Sequence, residues 1–377
     1  MAVTDFGALT SEQLKLWSKD VWKIARKRSF FEQFIGTDSN APIQRITELK
    51  TDVKGSKAVI TLVPDVLGRG VIGDEQLSGN EASMVAYDQV IDVDQQRQGV
   101  KSKGRMTEQK SVVDFRKTAR DSLGVWLANM RDTLIALKLS GITFDKNING
   151  SANTASGTYD ALTSLAFAAA QTATNKRVVH ALASGAWGDG AGTTPADANL
   201  KSLSYAHIVN LKAIAKERGI KPVRGEGGDE LYHLIVNPVG MAKLKLDSDF
   251  ISNVRHAGVR GDKNALFKGT SSSVLVDGIM IHESHFVYNT RGLSSGSKFG
   301  STGTAEGQRC LLLGAQAAGV ADIGDAFWEE SDVTDYGNQP GIAIGKIWGV
   351  TKTKFKGSWD DPSNVQDFSM LTVDTLL

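Results

Sequence analysis

The stretch that most limits what this chain can fold into is Met106 to Ser140, MTEQKSVVDFRKTARDSLGVWLANMRDTLIALKLS. Its apolar residues fall at Val112, Phe115, Ala119, Leu123, Trp126/Leu127, Met130, Leu134 and Leu137. Steps of three and four place all of them on one helical stripe. Lys117, Arg120, Asp121, Arg131 and Asp132 fall mostly away from it, so the pattern predicts a one-sided helix with these charges off the buried face. Ser111 with Asp114 can start the helix, or Thr107 a turn earlier, and Gly141 suits a left-handed stop. About 30 residues would give a rod of roughly 45 Å. No heptad pattern continues beyond it, so a coiled coil is not expected. A one-sided rod of this length needs other layers laid against it.

The segment ahead of the rod has a different period. Ala58 to Leu62 (AVITL) reads as a strand, and Val85 to Val93 (VAYDQVIDV) as a second extended limb. Between them Pro64, Gly68, Gly70, Gly73 and Gly79-Asn80 break the chain repeatedly. Two limbs are too few to bury both faces of Val59, Ile60, Leu62, Val66, Leu67, Val71 and Ile72. A bare apolar hairpin is a liability unless something covers it, and the expected cover is a neighbouring copy of the chain. Charge is segregated here as well. Asp74, Glu75, Glu81, Asp88, Asp92 and Asp94 stand in 74–94 without a Lys or Arg. Residues 95–120 carry Arg97, Lys101, Lys103, Arg105, Lys110, Arg116, Lys117 and Arg120 against Glu108 and Asp114. An acidic limb meeting a basic surface of another copy is the functional reading; a solvated charged face is the bland one. A third run, 321–335, holds six acids and no base.

Residues 11–35 read as a basic amphipathic helix, opened by Ser11 and followed by Gly36. Lys15, Lys19, Lys23, Arg26, Lys27 and Arg28 leave it either facing nucleic acid or an acidic partner, or docked by its Trp and Phe residues with the lysines in water. Ile43, Arg45 and Glu48 to Thr51 look extended. Further along, Ala161 to Ala170 reads as a short helix, and Tyr205 to Arg218 as an amphipathic one between Ser204 and Gly219. Leu231 to Val236 is a buried-type strand, with Pro238 opening a helix. Val274 to Val276 and Ile279 to Val287 are strands turned at Asp277-Gly278. Residues 291–307 read as a mobile Gly/Ser loop, Arg309 to Leu313 as a strand, and Gly341 to Phe355 as one strand or a hairpin. There Lys352, Lys354 and Lys356 alternate on one face. This order, without repeated βαβ units, is α+β.

The succession GSKAVITLVPDVLGRGVIGDEQLSGNEASM, YDQVIDVDQQRQGV and the helix with LGVWLANMRD resembles the major capsid proteins of N4-like tailed phages. DVWKIARKRSFFEQFIG before it, NKRVVH at 175–180 and LYHLIVNPVGMAKLKLD at 231–247 fit the same family in the same order. The resemblance implies the HK97-type capsid fold. Its parts would be an N-terminal arm (1–50), an extended hairpin or E-loop (51–105), a P-domain with its spine helix (106–200), an A-domain (201–340) and a return strand (341–377). It implies a head protein that assembles with itself as hexamers and pentamers into an icosahedral shell around double-stranded DNA. The DNA would be held by non-specific contact, and scaffolding, portal and decoration proteins would be further partners. The shell would belong to the virion and be assembled in the host cytoplasm. The inter-subunit residues would be Val59, Leu62, Val66, Leu67, Val71, Ile72, Asp74, Glu75 and Glu81. Phe115, Leu123, Trp126, Met130 and Leu134 would pack the spine helix. No residue pair for covalent chain linking is identifiable.

Two other readings compete: an encapsulin-like nanocompartment shell of the same fold, and a soluble nucleotide-binding enzyme. Gly68-x-Gly70-x-x-Gly73 spells a dinucleotide fingerprint, but the acidic, glycine-broken DEQLSGNEAS follows where a helix should begin. Gly292-x-Ser294-x-Gly296 spells a nucleophile elbow, yet no histidine lies beyond His285. His282 and His285 have the wrong spacing for two ligands on one helical turn, and on a strand they face opposite ways. No active site, cofactor or metal is therefore expected. At 377 residues, two or three domains are the prior. A net charge of +1 supplies no global pull towards nucleic acid or membrane. Cys310 stands alone, which excludes an internal disulfide and fits a reducing compartment. MAVTDFG has neither the basic start nor the apolar core of a signal peptide, so none is expected, and no apolar run approaches a membrane span.

Overall fold

A computed structural model describes residues 21–47, 55–62, 70–80, 87–110, 114–153, 161–190, 195–225, 228–257, 273–331, 334–358 and 361–377. Residues 21–28 form helix α1 and lead into β1 (Ile35–Gly36) and β2 (Ile43–Ile46). An excursion follows as β3 (Lys57–Leu62) and β4 (Tyr87–Asp92). The chain returns along β5 (Asp94–Lys101) to α2 (Arg105–Lys110) and α3 (Phe115–Ser140). Next come β6 (Val178–Ala181), β7 (Trp187–Asp189), α4 (Tyr205–Glu217), β8 (Val223–Arg224), β9 (Glu230–Val236), α5 (Pro238–Lys245) and α6 (Ser248–Ala257). The last part is mostly strand: β10 (Ser273–Val276), β11 (Ile279–Glu283), β12 (Gly307–Leu313), β13 (Ala318–Ser331), β14 (Gly341–Lys352), β15 (Lys354–Ser358), β16 (Asp361–Asp367) and β17 (Met370–Leu376).

Two sheets organise these elements. One has five strands in the order β1-β2-β13-β14-β5, the other eight in the order β10-β11-β9-β12-β17-β6-β7 with β8 added to β9. Sheet membership cuts across the segments expected from sequence. β6 and β7 from the middle of the chain and β17 from its end join the strands of 230–313, while β13 pairs with β14. Two ribbons, β3-β4 and β15-β16, stand apart from both sheets. The mixture of helices and sheets is the expected α+β class.

The long helix is shorter than the stripe that predicts it. Residues 111–113, Val112 among them, lie outside the described residues. α2 precedes that gap, and α3 begins at Phe115. Asp114 is its cap, accepting from the Lys117 N–H at 3.2 Å. A short carboxylate bonds its own backbone more readily than it continues a helix, which is why the start falls here. The 26 residues make a rod of about 39 Å. Gly141 ends it at φ 70°, and the Gly141 and Ile142 N–H groups reach back to the Lys138 and Leu137 carbonyls.

The stripe holds for the first half only. Ala119, Leu123 and Leu127 are buried there, while Lys117 and Asp121 face water. From Arg131 onwards nearly every residue is buried, including Arg131, Asp132 and Lys138. This corrects the expectation that Arg131 and Asp132 lie off the buried face. α3 packs on β14 of one sheet and β12 of the other, so its second half has no outer side.

Other expectations change in the same way. Ala161 to Ala170 contains only a single 3-10 turn, Leu162–Ser164. The Gly/Ser loop after Arg291 is pinned rather than loose: Asp197 accepts from the Thr302 and Thr304 N–H groups, both at 2.9 Å. The Thr302 and Thr304 hydroxyls, and then these N–H bonds, hold the Asp197 carboxyl well below the usual range. The 341–355 strand divides at Thr353, and Lys352 is fully buried beside Asp367 at 2.5 Å. The turn at Asp277-Gly278 is as expected, both residues having positive φ between β10 and β11. α4 and α5 also start at Ser204 and Asn237-Pro238 as their sequences indicate.

Candidate assembly surfaces

Strands β3 and β4 pair antiparallel, with Ala58 opposite Ile91, Val59 opposite Val90 and Ile60 opposite Gln89. Alternation therefore gives the ribbon two distinct faces. Ala58, Ile60 and Ile91 point inwards and are buried with Ile46, Ala321 and Phe355. Val59 and Val90 point outwards, 39% and 45% exposed. At the tip Ile72 is 82% exposed and Leu77 60%, Val71 is half-buried, and Asp74 and Glu75 are exposed. Val66, Leu67 and Glu81 lie outside the described residues, as does the side chain of Leu62. The apolar ribbon expected to be bare is thus closed on its inner face by its own molecule, and bare on its outer face.

The charges sort unevenly. Asp92 lies 3.9 Å from Lys57, and Asp94 accepts from the N–H groups of Gln95 and Ala166, so these two acids are engaged within the chain. Asp74, Glu75 and Asp88 remain at the surface. Of the bases, Arg116 pairs with Glu330 and Arg120 with Asp121. Arg97, Lys101, Lys103, Arg105 and Lys110 are exposed. From the basic N-terminal helix, Val21, Trp22 and Ala25 pack on the first half of α3, while Lys23, Lys27 and Arg28 face water. Of the residues expected to seat the long helix, Leu123 and Leu134 are buried, and Phe115, Trp126 and Met130 are half-buried. Trp126 sits at the margin of the cluster formed by Val21, Trp22, Trp328 and Ile344.

What joins the N-terminal segment, α3 and the five-stranded sheet is a buried charge network that periodicity does not reveal. Arg131 reaches Glu32 at 3.0 Å and Asp322 at 2.8 Å, and Arg45 reaches the same two carboxylates at 2.5 and 3.4 Å. Lys346 comes from β14 and lies 4.4 Å from the centre of the Trp22 ring, which also faces Arg131. Burial alone would raise Asp322, but Arg131, Lys346 and Arg45 hold it below the usual carboxylate range. Burial pushes Lys346 down to about 8. Beside Arg131, Asp132 accepts from Ser29 Oγ and the Phe30 N–H, both at 2.6 Å. Burial nonetheless raises its pKa. The sequence signal that could have found this network was the acidic run at 321–335, whose Asp322 directly follows the apolar start of β13, Ala318 to Ala321.

Among the described residues, no catalytic geometry forms around the motifs weighed above. Gly70 and Gly73 lie at positive φ in an exposed turn, and no helix follows among the described residues. His282 is buried on β11, while His285 lies past the end of that strand, in a turn, and is exposed. His282 Nε2 instead lies 3.0 Å from His233 Nδ1, and Phe34 is edge-on to both rings. Cys310 is buried, and burial pushes its thiol well up. Among the described residues no His, Cys, Asp or Glu cluster could hold a metal, and no helix is long and apolar enough to cross a membrane.

The model of the phage capsid protein family matches residues 5–377. The major capsid protein of Pseudomonas phage KPP25 is 44% identical over 381 residues, spanning 98% of this chain and 96% of that protein. Among solved structures, the capsid of Ralstonia phage GP4 superposes with a TM-score of 0.72 at 25% identity, over 100% of this chain and 98% of the other. The capsid of cyanophage Pam1 gives 0.69 at 19% identity, over 93% and 92%. The fold is thus the HK97-type capsid fold that the sequence resemblance implied. With a match along nearly its whole length and a capsid protein relative at 44% identity, this chain belongs to the phage capsid protein family.

Proposed function

We propose that the chain is the major capsid protein of a tailed double-stranded DNA bacteriophage. Copies join as hexamers and pentamers in an icosahedral shell, using the outer face and tip of the β3-β4 hairpin as one of their contacts. The observation that carries the contact is exposure: Val59 and Val90 are open to water on a ribbon whose inner residues Ala58, Ile60 and Ile91 are buried, and Ile72 and Leu77 are open at its tip. Apolar surface left bare in one copy and covered by the next gains free energy each time symmetry repeats it. The capsid relatives are structural proteins, so the enzyme reading falls away.

The exposed acids Asp74, Glu75 and Asp88 and the exposed bases Arg97, Lys101, Lys103, Arg105 and Lys110 supply a complementary pair of surfaces between copies. The outward cations Lys23, Lys27 and Arg28 offer a non-specific contact for packaged DNA. Scaffolding, portal and decoration proteins are further partners on this reading, with assembly in the host cytoplasm. The N4-like subdivision rests on the hairpin and helix motifs of the sequence. Electron microscopy of the purified protein tests the reading: shells are expected from the full chain, and folded but unassembled subunits from a chain lacking residues 62–90. Intact shells from that deletion would remove the hairpin from the contact.

A further inference from the structure

We infer that Gln89 is a positioning residue for assembly: its side-chain amide sets the angle at which the β3-β4 hairpin leaves the body of the subunit. This rests on the reading that the hairpin reaches the neighbouring copy.

The inference starts from an unfilled strand edge. β5 pairs with β14 only as far as Trp348, opposite Asp94, because the chain there comes out of the hairpin. β14 continues to Lys352 with β13 on its other side, so its last residues have no strand partner on the β5 side. Buried backbone groups need partners, and two side-chain amides supply them. Gln171 accepts from the Lys352 N–H at 2.6 Å and donates to Thr351 Oγ1 at 2.8 Å. Gln89 donates to the Lys352 carbonyl at 2.7 Å and to Thr351 Oγ1 at 3.0 Å, and accepts from the Lys354 N–H at 2.8 Å. A carbonyl and the N–H two residues on are what a neighbouring strand would engage. The Gln89 amide therefore takes the place of one residue of a neighbouring strand, whose N–H and C=O would bond across the break at Thr353.

The two glutamines differ in what they hold. Gln171 belongs to the body. Gln89 is on β4, opposite Ile60, and is the hairpin's polar attachment to the β14-β15 junction. The apolar part of that attachment is close but non-directional. A Cβ on Gly319 would come within 2.0 Å of Ile60 Cδ1, and one on Gly349 within 2.2 Å of the Asp92 carbonyl oxygen. The hairpin root thus rests on two stretches of bare backbone. Contacts of that kind fix its height above the sheet. Three hydrogen bonds from one planar amide fix its direction, as hydrogen bonds weaken steeply with angle. Glutamate at 89 would keep the acceptor but turn a carboxylate on the Lys352 carbonyl; alanine would lose every bond.

The test uses the full chain with Gln89→Ala, Gln89→Glu and the control Gln171→Ala. Cys310 is buried and the only cysteine, so Val59→Cys and Leu275→Cys, 39% and 58% exposed, accept a pair of nitroxide labels. Dipolar spectroscopy on unassembled subunits then reads the spread of hairpin-to-body distances. Both Gln89 variants should widen that distribution about twofold and lower the yield of closed shells roughly tenfold, a change of about one decade in an equilibrium. Gln171→Ala should leave the distribution narrow. If Gln89→Ala does not fold, Gln89→Glu carries the same comparison. A Gln89 variant with parental distances and parental shells overturns the inference, and so does Gln171→Ala widening the distribution equally. Shells from a chain lacking residues 62–90 would instead defeat the underlying assembly reading, whatever the labels show.

Discussion

Arg131 sits between two carboxylates, Glu32 and Asp322, with its own side chain only 2% exposed. Removing one partner of a buried ion pair leaves the others uncompensated, which is where the energy lies. Arg131→Ala should cost about 3–5 kcal/mol in a denaturant titration. Leu134→Ala, a plain cavity at a fully buried position, should cost about 2–5 kcal/mol. Trp126 is half-buried, so Trp126→Ala should cost less than either, about 1–2 kcal/mol. A Trp126 variant as destabilised as the Leu134 one would contradict that order. A second group of residues sets acid behaviour. Burial, and then the neighbouring His233, lowers His282 from 6.5 to about 4. The unfolded chain therefore takes up more protons than the folded one as pH falls below 6.5, and stability drops in that window. Between pH 6.5 and about 5 the loss from this group is roughly 2 kcal/mol. Melting temperatures measured across that range should fall, and should fall less steeply for His282→Phe. Spacing found the buried Leu134 but not the charged residues: periodicity placed Arg131 and Asp132 at the surface, because it registers polarity and not what stands opposite.

At the level of elements, the ends of α3 could be read from single residues while its surroundings could not. Gly141 is left-handed, and a Cβ there would lie 2.8 Å from the Gln171 carbonyl oxygen. Gly141→Ala should cost at least about 1–2 kcal/mol, visible as a lowered unfolding midpoint. The hairpin is the converse case. Its two strands followed from alternation, and its inner and outer faces did not, because distant strands, β2, β13, β14 and β15, decide which face is covered. Val59→Asp and Val90→Asp place charge on the open face of a folded subunit. They should shift stability by no more than about 0.5 kcal/mol and still abolish shells seen by electron microscopy. Shells forming normally from the double variant would mean the outer face is not a contact. Strand β5, with its polar DQQRQGVK, escaped notice because its place is fixed by pairing with β14 and not by its own pattern.

On the scale of the whole molecule, a near-neutral chain with segregated charge should assemble in a salt-dependent way. On the proposed reading, the acids left exposed on the hairpin meet the bases left exposed on β5 and α2 of another copy. Screening reaches about 10 Å at 0.1 M salt and shortens as salt rises. Shell yield measured by light scattering should therefore fall between low and high ionic strength. A yield that stays level or climbs would assign the contact to apolar burial alone.

The sequence by itself determined the local pieces: a capped helix with a glycine stop, a two-limbed hairpin, the Asp277-Gly278 turn, and the ordered motifs that mark a capsid protein. These depend on a few neighbouring residues, whose backbone preferences and periodicity are written in the chain. Tertiary structure decided which charges are buried, which hairpin face is closed, and where β13 and β17 pair. Most of those depend on surfaces brought from far along the chain, such as β2 against β13 and β6 against β17, and no local pattern carries the identity of its partner.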